Sequence, residues 1–177
     1  MGKDRLQFAL ISTLIVVGIV GGIFFLLTPT YRVLYDSGQT VWPQPGRSLA
    51  DLWTDTHGVQ LSTEGQDLRI VGGFDPYLDG KQELQLENSA YVLKIVIQEP
   101  EETALQVYFL RTYNRSATDS DSTRIPVKPG WNTLYVGIPE GRRLVGFRLD
   151  PGDPAGLYIL RELSLRKVPR YVFSFRI

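Results

Sequence analysis

The chain has 177 residues, 43% of them hydrophobic, with 19 Lys and Arg against 19 Asp and Glu, one histidine and no cysteine. This balance gives no electrostatic footprint for nucleic acid, whose affinity comes largely from basic residues on phosphates. Without cysteine, and with a single histidine, the chain has no disulfide framework, no thiolate zinc site, no cysteine nucleophile and no pair of histidine ligands. We expect one folded domain and no nucleic-acid partner.

The chain opens with a long uncharged stretch. No charged residue lies between Arg5 and Arg32, and residues 8–28 are mostly apolar. At ~1.5 Å rise per residue, about twenty helical residues cross the ~30 Å hydrocarbon core of a bilayer. The rival interpretation, a signal peptide, needs an apolar region of only about 7–15 residues followed by small residues at a cleavage site. The length predicts an uncleaved, single transmembrane helix over residues 8–28.

The charges that flank this helix predict its orientation. Residues 1–7 carry Lys3 and Arg5, offset by Asp4, whereas Arg32 and then Asp36 follow the span. Positive charge near a span is retained in the cytoplasm. We therefore predict a short cytoplasmic amino terminus, a helix in the cytoplasmic (inner) membrane, and a periplasmic or extracellular remainder.

Two glycines within the predicted span form a G-x-x-x-G pair. Gly18 and Gly22 lie on one helix face, where the absence of side chains lets a second helix approach closely. The alternative is that glycine is simply frequent in membrane helices and that this face contacts lipid. The pair predicts a packing face for a partner helix, such as one of a polytopic membrane protein.

Residues 29–47 have the composition of a linker. Closely spaced Pro43, Pro45 and Gly46 favour an extended path between the span and the folded part. Tyr35 and Trp42 suit either the membrane interface or the underside of the domain, because their rings are apolar with one polar tip.

From residue 48 the pattern changes to short apolar runs separated by turn residues, which is typical of an antiparallel sandwich or barrel. One short helix is predicted at residues 48–54, with Ser48 as its cap. The predicted strands cover residues 58–62, 67–71, 83–86, 91–98, 104–110, 123–126, 132–137, 144–149 and 157–166.

The strongest local signature is the corner FRLDPGDPAG at residues 147–156. Pro151 fixes φ before a turn that Gly152 permits, while Asp150 and Asp153 can accept nearby backbone N–H groups. The alternative is a calcium site at Asp150 and Asp153, since calcium favours clustered carboxylate and carbonyl oxygens.

This corner, together with VGGFDP at 71–76, the strand at 91–97, LQVYF at 105–109 and GWNTLYVGIP at 130–139, resembles a known domain type. The resemblance is to jelly-roll β-sandwiches, like carbohydrate-binding modules or galactose-binding-like domains, of bacterial membrane proteins in surface-polysaccharide synthesis. It covers residues 48–168 and implies an all-β, antiparallel jelly-roll β-sandwich. It also implies a role in binding glycan or in assembling a membrane-bound glycosyltransferase complex. It transfers no sugar-binding residue to a particular position.

Catalytic motifs are weak. Asp119-Ser120-Asp121 matches the D-x-D pattern of metal-binding glycosyltransferases, but it lies in a polar stretch typical of a hairpin loop, without the alternating helices and strands of a nucleotide fold. His57 has no recognisable serine or cysteine nucleophile to activate. No pair of carboxylates is distinguished as an acid and a base. We expect no enzymatic activity and no cofactor.

Aromatic side chains offer the remaining ligand chemistry. Trp131 and Tyr113 lie near turn signals, where rings can stack on sugar faces, although a place in the core or at a corner is the alternative. They are the predicted glycan-binding residues.

The tail, residues 169–177, is both basic and apolar. A short strand here would join a sheet edge of the domain or of a partner, whereas an interfacial segment would place Tyr171, Phe173 and Phe175 against lipid. The two can coexist if the domain folds back on its membrane.

Together these features predict a single-pass accessory subunit of a polysaccharide synthesis or export complex in the bacterial cell envelope. Its partner would be a polytopic glycosyltransferase or transporter. The alternative is a membrane-anchored glycan-binding module that acts alone.

Overall fold

The computed structural model describes residues 31–80, 84, 86, 89–111, 118–138 and 144–169. The predicted span over residues 8–28, with Gly18 and Gly22, lies outside these ranges, as do Tyr113 and the tail beyond Pro169. Within these ranges, no helix is long and apolar enough to cross a membrane.

The described residues form an antiparallel β-fold with one short helix at its start. In chain order the elements are α1 (Tyr31–Ser37), β1 (Gln39–Trp42), a 3₁₀ helix (Leu49–Leu52), β2 (Trp53–Glu64), β3 (Asp67–Gly80), β4 (Ala90–Glu99), β5 (Thr103–Leu110), a second 3₁₀ helix (Asp119–Asp121), β6 (Ser122–Val127), β7 (Gly130–Ile138), β8 (Gly146–Asp150) and β9 (Gly156–Val168). The predicted all-β class is confirmed.

One continuous nine-stranded sheet folds into two layers because β3 belongs to both. The first half of β3 pairs with β9, from Leu68 opposite Leu160 to Gly72 opposite Gly156. Its second half pairs with β8, where Leu78 lies opposite Leu149. The first layer therefore contains β9, β4 and β7, and the second contains β8, β5 and β6. Strand β2 pairs with both halves of β3 and so extends across both layers.

The core lies between the two layers. Inward-facing residues alternate along β4, including Leu93 and Ile95, and they share one buried cluster with Val107 and Leu149 of the second layer. Each fully buried aliphatic side chain of this kind contributes about 1.5–3 kcal/mol through removal of its surface from water.

The segment predicted as a linker forms part of this fold. Within α1, Leu34 and Tyr35 pack on Ala90, Val92 and Val168, on the outer side of the first layer. The strand β1 pairs with the end of β9, and Trp42 is 7% exposed there. Of the two placements considered for Tyr35 and Trp42, the structure shows the underside of the domain. The strand β1 has only four residues and is followed by Pro43. Its alternation of apolar and polar residues is therefore too short to be recognised in the sequence.

Other boundaries also differ from those predicted. The helix expected at 48–54 is a 3₁₀ helix over Leu49–Leu52, whose Ser48 cap bonds with Asp51. In the strand predicted at 83–86, the described residues Leu84 and Leu86 lie outside strands. Leu84 is buried, and its N–H donates to the carbonyl of Val145 at 2.9 Å. Apolar spacing thus correctly marked Leu84 as buried, although Leu84 does not belong to a strand.

A carboxyl group is buried at the end of β4. Glu99 is 2% exposed and neither of its carboxyl oxygens has a hydrogen-bond partner. Burial raises the pKa of Glu99 to about 8. The folded protein therefore holds this proton more tightly than the unfolded chain does, and the group lowers the free energy of unfolding as the pH rises from ~4.5 towards 8.

Glu99→Gln is expected to raise the free energy of unfolding by roughly 2–4 kcal/mol at pH 9, because an amide cannot ionise, and to change it little at pH 5. Urea unfolding of the full chain in mild detergent at both pH values measures this. Glu101→Gln, at an exposed neighbouring carboxyl, is the matched control. Equal effects of Glu99→Gln at pH 5 and pH 9 would show that its ionisation does not matter.

Candidate functional site

Polar and aromatic side chains form two adjacent rows across the outer side of the second layer. The strand registers place Asp79 between Asp55 and Arg148, and Tyr108 between Arg148 and Ser122. In the next row His57 lies opposite Tyr77, and Gln106 lies between Asp150 and Arg124. We call this surface the tyrosine–arginine face; its members are Asp55, His57, Tyr77, Asp79, Gln106, Tyr108, Ser122, Arg124, Arg148 and Asp150.

Strand alternation explains why these side chains share one side. Leu78, Val107 and Leu149 lie between them in sequence and are at most 1% exposed in the core. Because successive side chains of a strand point to opposite sides, their neighbours must point outwards. An apolar residue at every second position thus fixes the whole face.

Arg148 lies at the centre of the face. Its Nε and Nη2 donate to the two carboxylate oxygens of Asp150 at 2.7 and 2.8 Å. Its guanidinium carbon lies 3.7 Å from the ring centroid of Tyr77 and 5.0 Å from that of Tyr108. His57 stacks on Tyr77, with centroids 5.0 Å apart and rings inclined by 13°. Two tyrosines, an imidazole and an ion pair therefore hold one another in place.

A hydrogen-bond network fixes the side of the face next to β6. Gln106 Nε2 donates to Ser122 Oγ at 2.8 Å, and Arg124 Nε donates to Gln106 Oε1 at 3.2 Å. The Tyr108 hydroxyl donates to Asp119 Oδ1 at 3.2 Å. Because Gln106 and Tyr108 are buried, these bonds remove the cost of placing their polar atoms away from water.

Carboxylates outnumber cations on this face. Desolvation raises the pKa of Asp79, and the charges of Asp55 and Asp150 raise it further, while Arg148 lowers it. Burial also raises the pKa of Asp150 against the opposing effect of Arg148. Asp55 and Asp79 are directly opposed, and like charges in such a cross-strand pair are destabilising. Residues that lower local stability in this way are typical of functional surfaces.

An exposed aromatic residue lies at the edge of the face. Residues 73–76 bulge out of β3 opposite Gly58, and Phe74 within this bulge is 91% exposed. Asp75 next to it has φ of 52° and lies close enough to Asp150 to raise the pKa of that carboxyl. The bulge leads into Tyr77 and thus brings an accessible ring to the face.

Of the two predicted glycan-binding residues, Trp131 does not join this face. Trp131 is the second residue of β7 in the first layer and is 45% exposed, with the Arg161 guanidinium 3.9 Å from its ring centroid. Tyr113 lies outside the described residues. The segment that holds it follows Arg111, which pairs with Asp121 at 2.5 Å beside Asp119.

The structure gives the predicted calcium residues other surroundings. Both carboxylate oxygens of Asp150 accept from Arg148, and Asp153 is exposed. The Tyr158 hydroxyl donates to the carbonyl of Pro154, which closes the turn. Among the described residues, no group of three or more His, Asp or Glu side chains could hold a metal ion. The structure thus pairs Asp150 with a guanidinium rather than with the backbone N–H groups that were predicted, and calcium binding stays a prediction.

The sequence analysis did not single out Gln106, Tyr108 and Arg148. Their signal was the polar member of each alternating pair in LQVYF and FRLD, which is also what any wet strand face shows. The D-x-D residues make protein contacts, since Asp119 binds Tyr108 and Asp121 binds Arg111.

Comparison with known proteins bears on the fold. The chain matches no protein-family model, and no curated protein matches it significantly. It is similar to a solved mutant of a family 29 carbohydrate-binding module, with 9% identity, a TM-score of 0.52, and coverage of 73% of this chain and 87% of that one. It is also similar to a CBM4 module, with 10% identity, a TM-score of 0.51, and coverage of 76% and 96%.

These likenesses confirm the β-sandwich of carbohydrate-binding modules that the sequence predicted. At such low identity they concern the fold alone. The membrane and polysaccharide-synthesis context of the resemblance stays a prediction.

Arg148→Ala is expected to lower the free energy of unfolding by ~2–3 kcal/mol, because it leaves the half-buried Asp150 carboxylate unpaired. Adding Asp150→Ala should restore part of that loss, with a coupling energy of about 1–3 kcal/mol in urea unfolding at pH 7. Arg161→Ala breaks a similar bidentate pair with Asp67 at the exposed surface and should have little effect. Additive losses in the double variant would show that the Arg148 pair is not coupled.

Proposed function

We propose that this protein binds glycan on the tyrosine–arginine face, without catalysing a reaction. The observation that carries the proposal is the run of outward hydroxyl, amide, carboxylate and guanidinium groups across five adjacent strands, with Phe74 at its edge. A sugar presents hydroxyl groups that both donate and accept hydrogen bonds, so it needs a surface of mixed donors and acceptors. The fold shared with carbohydrate-binding modules supports this use.

The variation of side-chain exposure across the face suits an extended ligand. Gln106 and Tyr108 are buried in its middle, whereas Asp55 and His57 on one border and Arg124 on the other are exposed. This profile describes a shallow trough with an ordered floor. Because its central polar groups already bond to one another, the floor is preorganised and a ligand need not order it on binding.

Phe74 would supply the stacking surface. Tyr77 is held between His57 and Arg148, which approach from the strands on either side of β3, so protein groups already cover its ring. The Phe74 ring is almost fully exposed. An exposed aromatic next to a polar trough can pack against the apolar face of a sugar.

We further propose that residues 8–28 anchor the sandwich in the cytoplasmic membrane with its glycan face outside, as an accessory subunit of a polysaccharide synthesis or export complex. The uncharged stretch and the Gly18/Gly22 face support the anchor and a polytopic partner. The alternative remains a membrane-anchored glycan-binding module that acts alone.

Phe74→Ala and Tyr108→Phe are each expected to weaken glycan binding about 5–10-fold, since a stacking contact or a hydrogen bond contributes ~1 kcal/mol. The full chain in mild detergent is first screened on an array of neutral, acidic and amino-sugar oligosaccharides, and calorimetry then measures the affinity for the best ligand.

Trp131→Ala removes an exposed aromatic from the opposite layer and is the matched control. Loss of binding in Trp131→Ala alone would show that the glycan binds to the first layer instead. Absence of binding to any oligosaccharide would contradict the glycan proposal.

The accessory role predicts that a polytopic glycosyltransferase or transporter co-purifies with the tagged full chain from native membranes in mild detergent. Gly18→Leu with Gly22→Leu should reduce its recovery at least several-fold, because larger side chains prevent close helix approach. Val20→Leu, two residues from each glycine and therefore on the opposite helix face, is the control. Recovery of the protein alone would favour the module that acts alone.

A further inference from the structure

In the part of the chain that the structure describes, the side of the sandwich between β6 and β7 is open. Among the described strands, β6 pairs only with β5 and β7 only with β4, so these two end the sheet. A groove of about 540 Å³ lies between them. Its lining comprises Tyr31, Arg32, Thr123, Ile125 and residues 133–137.

The lining shows that the groove runs along the edge of β7. Five consecutive residues of one strand line it, although successive side chains point to opposite sides of a sheet. A cavity that touches all of them must lie against the backbone edge. An edge strand presents a row of N–H and C=O groups that can pair with another strand.

The groove also has apolar walls and one closed end. Ile125 and Leu134 are partly buried and pack on the main core from this side. At the far end, a Cβ built on Gly137 would come within 2.5 Å of the Tyr31 ring, so α1 lies directly on β7 there. A strand placed in the groove would thus meet apolar side chains along its inner face.

The chain leaves the described fold at the same end. Val168 of β9 lies opposite Ala90, and the next residue of β4, Tyr91, lies opposite Ile138 at the end of β7. Strands are ~4.8 Å apart, so the outer edge of β7 lies about 14 Å from β9. At ~3.3 Å per residue, roughly four residues cross that distance. Residues 172–177 would then remain to run beside residues 132–137.

We propose that residues 172–177 occupy this groove as a tenth strand, antiparallel to β7. The segment VFSFRI alternates apolar and polar residues from Phe173 onward, as a strand with one buried face requires. The register that buries Phe173 and Phe175 sets them opposite Val136 and Leu134. It sets Ser174 opposite Tyr135 and turns Arg176 towards solvent. The proposal is independent of glycan binding.

An engineered disulfide tests the register. The chain has no cysteine, so Ser174→Cys with Tyr135→Cys introduces the only two thiols. Directly opposed residues of antiparallel strands have Cα atoms about 4.5–5.5 Å apart, within disulfide range. The full chain in detergent should form an intramolecular disulfide in this variant and not in the control, Ser174→Cys with Val96→Cys, where a strand intervenes.

Other outcomes overturn the proposal. Disulfides between two chains would assign the groove to a second copy. The Ser174→Cys thiol is also paired with Thr133→Cys, which covers a neighbouring register. Failure of both pairs to form a disulfide, with shielding of the Ser174→Cys thiol from aqueous maleimide only in lipid vesicles, would place the segment at the membrane.

Amide exchange gives a measure that needs no cysteine. Phe173→Asp with Phe175→Asp should speed deuterium uptake at residues 133–137 at least tenfold, while the core strand β5 keeps its protection and shows that the variant is folded. Unchanged uptake at residues 133–137 would contradict the added strand.

Discussion

The shared strand β3 is the constraint on which the rest of the structure depends. Its first half pairs with β9 and its second half with β8, so the two layers cannot slide or separate without breaking one strand. The bulge at residues 73–76 absorbs the change of direction, with Asp75 in the left-handed region and Gly58 opposite it at φ of +63°. The same turn that lets one strand serve two layers also displays Phe74.

The tyrosine–arginine face shows how contacts within the protein can order polar side chains across a surface. Burial of Gln106 and Tyr108 would be costly if their polar atoms were unpaired, and the network through Asp119, Ser122 and Arg124 removes that cost. Arg148 has a similar role for Asp150. The remaining imbalance is the pair of opposed carboxylates at Asp55 and Asp79, of which Asp55 is exposed to water and Asp79 is half-buried.

Much of the fold could be predicted from the sequence, and much less of the site. Alternation in Leu105–Leu110 and turn chemistry at residues 150–156 depend on local sequence, which is why the strands and the corner were found. The segment at 31–42 was missed because its strand is short and its burial comes from a distant partner, β9. The face was missed because register, which no local pattern specifies, brings Tyr77, Arg148 and Tyr108 side by side.

The packing of α1 has a consequence for how the domain would be presented at a cell surface. Only Pro29 and Thr30 separate the predicted span from Tyr31, and α1 is fixed to the sandwich by the buried Leu34 and Tyr35. Under the proposed membrane anchor, two residues would join the span to the sandwich, which would limit the rotation of the domain. The tyrosine–arginine face would then keep a nearly fixed orientation relative to the bilayer, so a bound polymer would have to run along one direction.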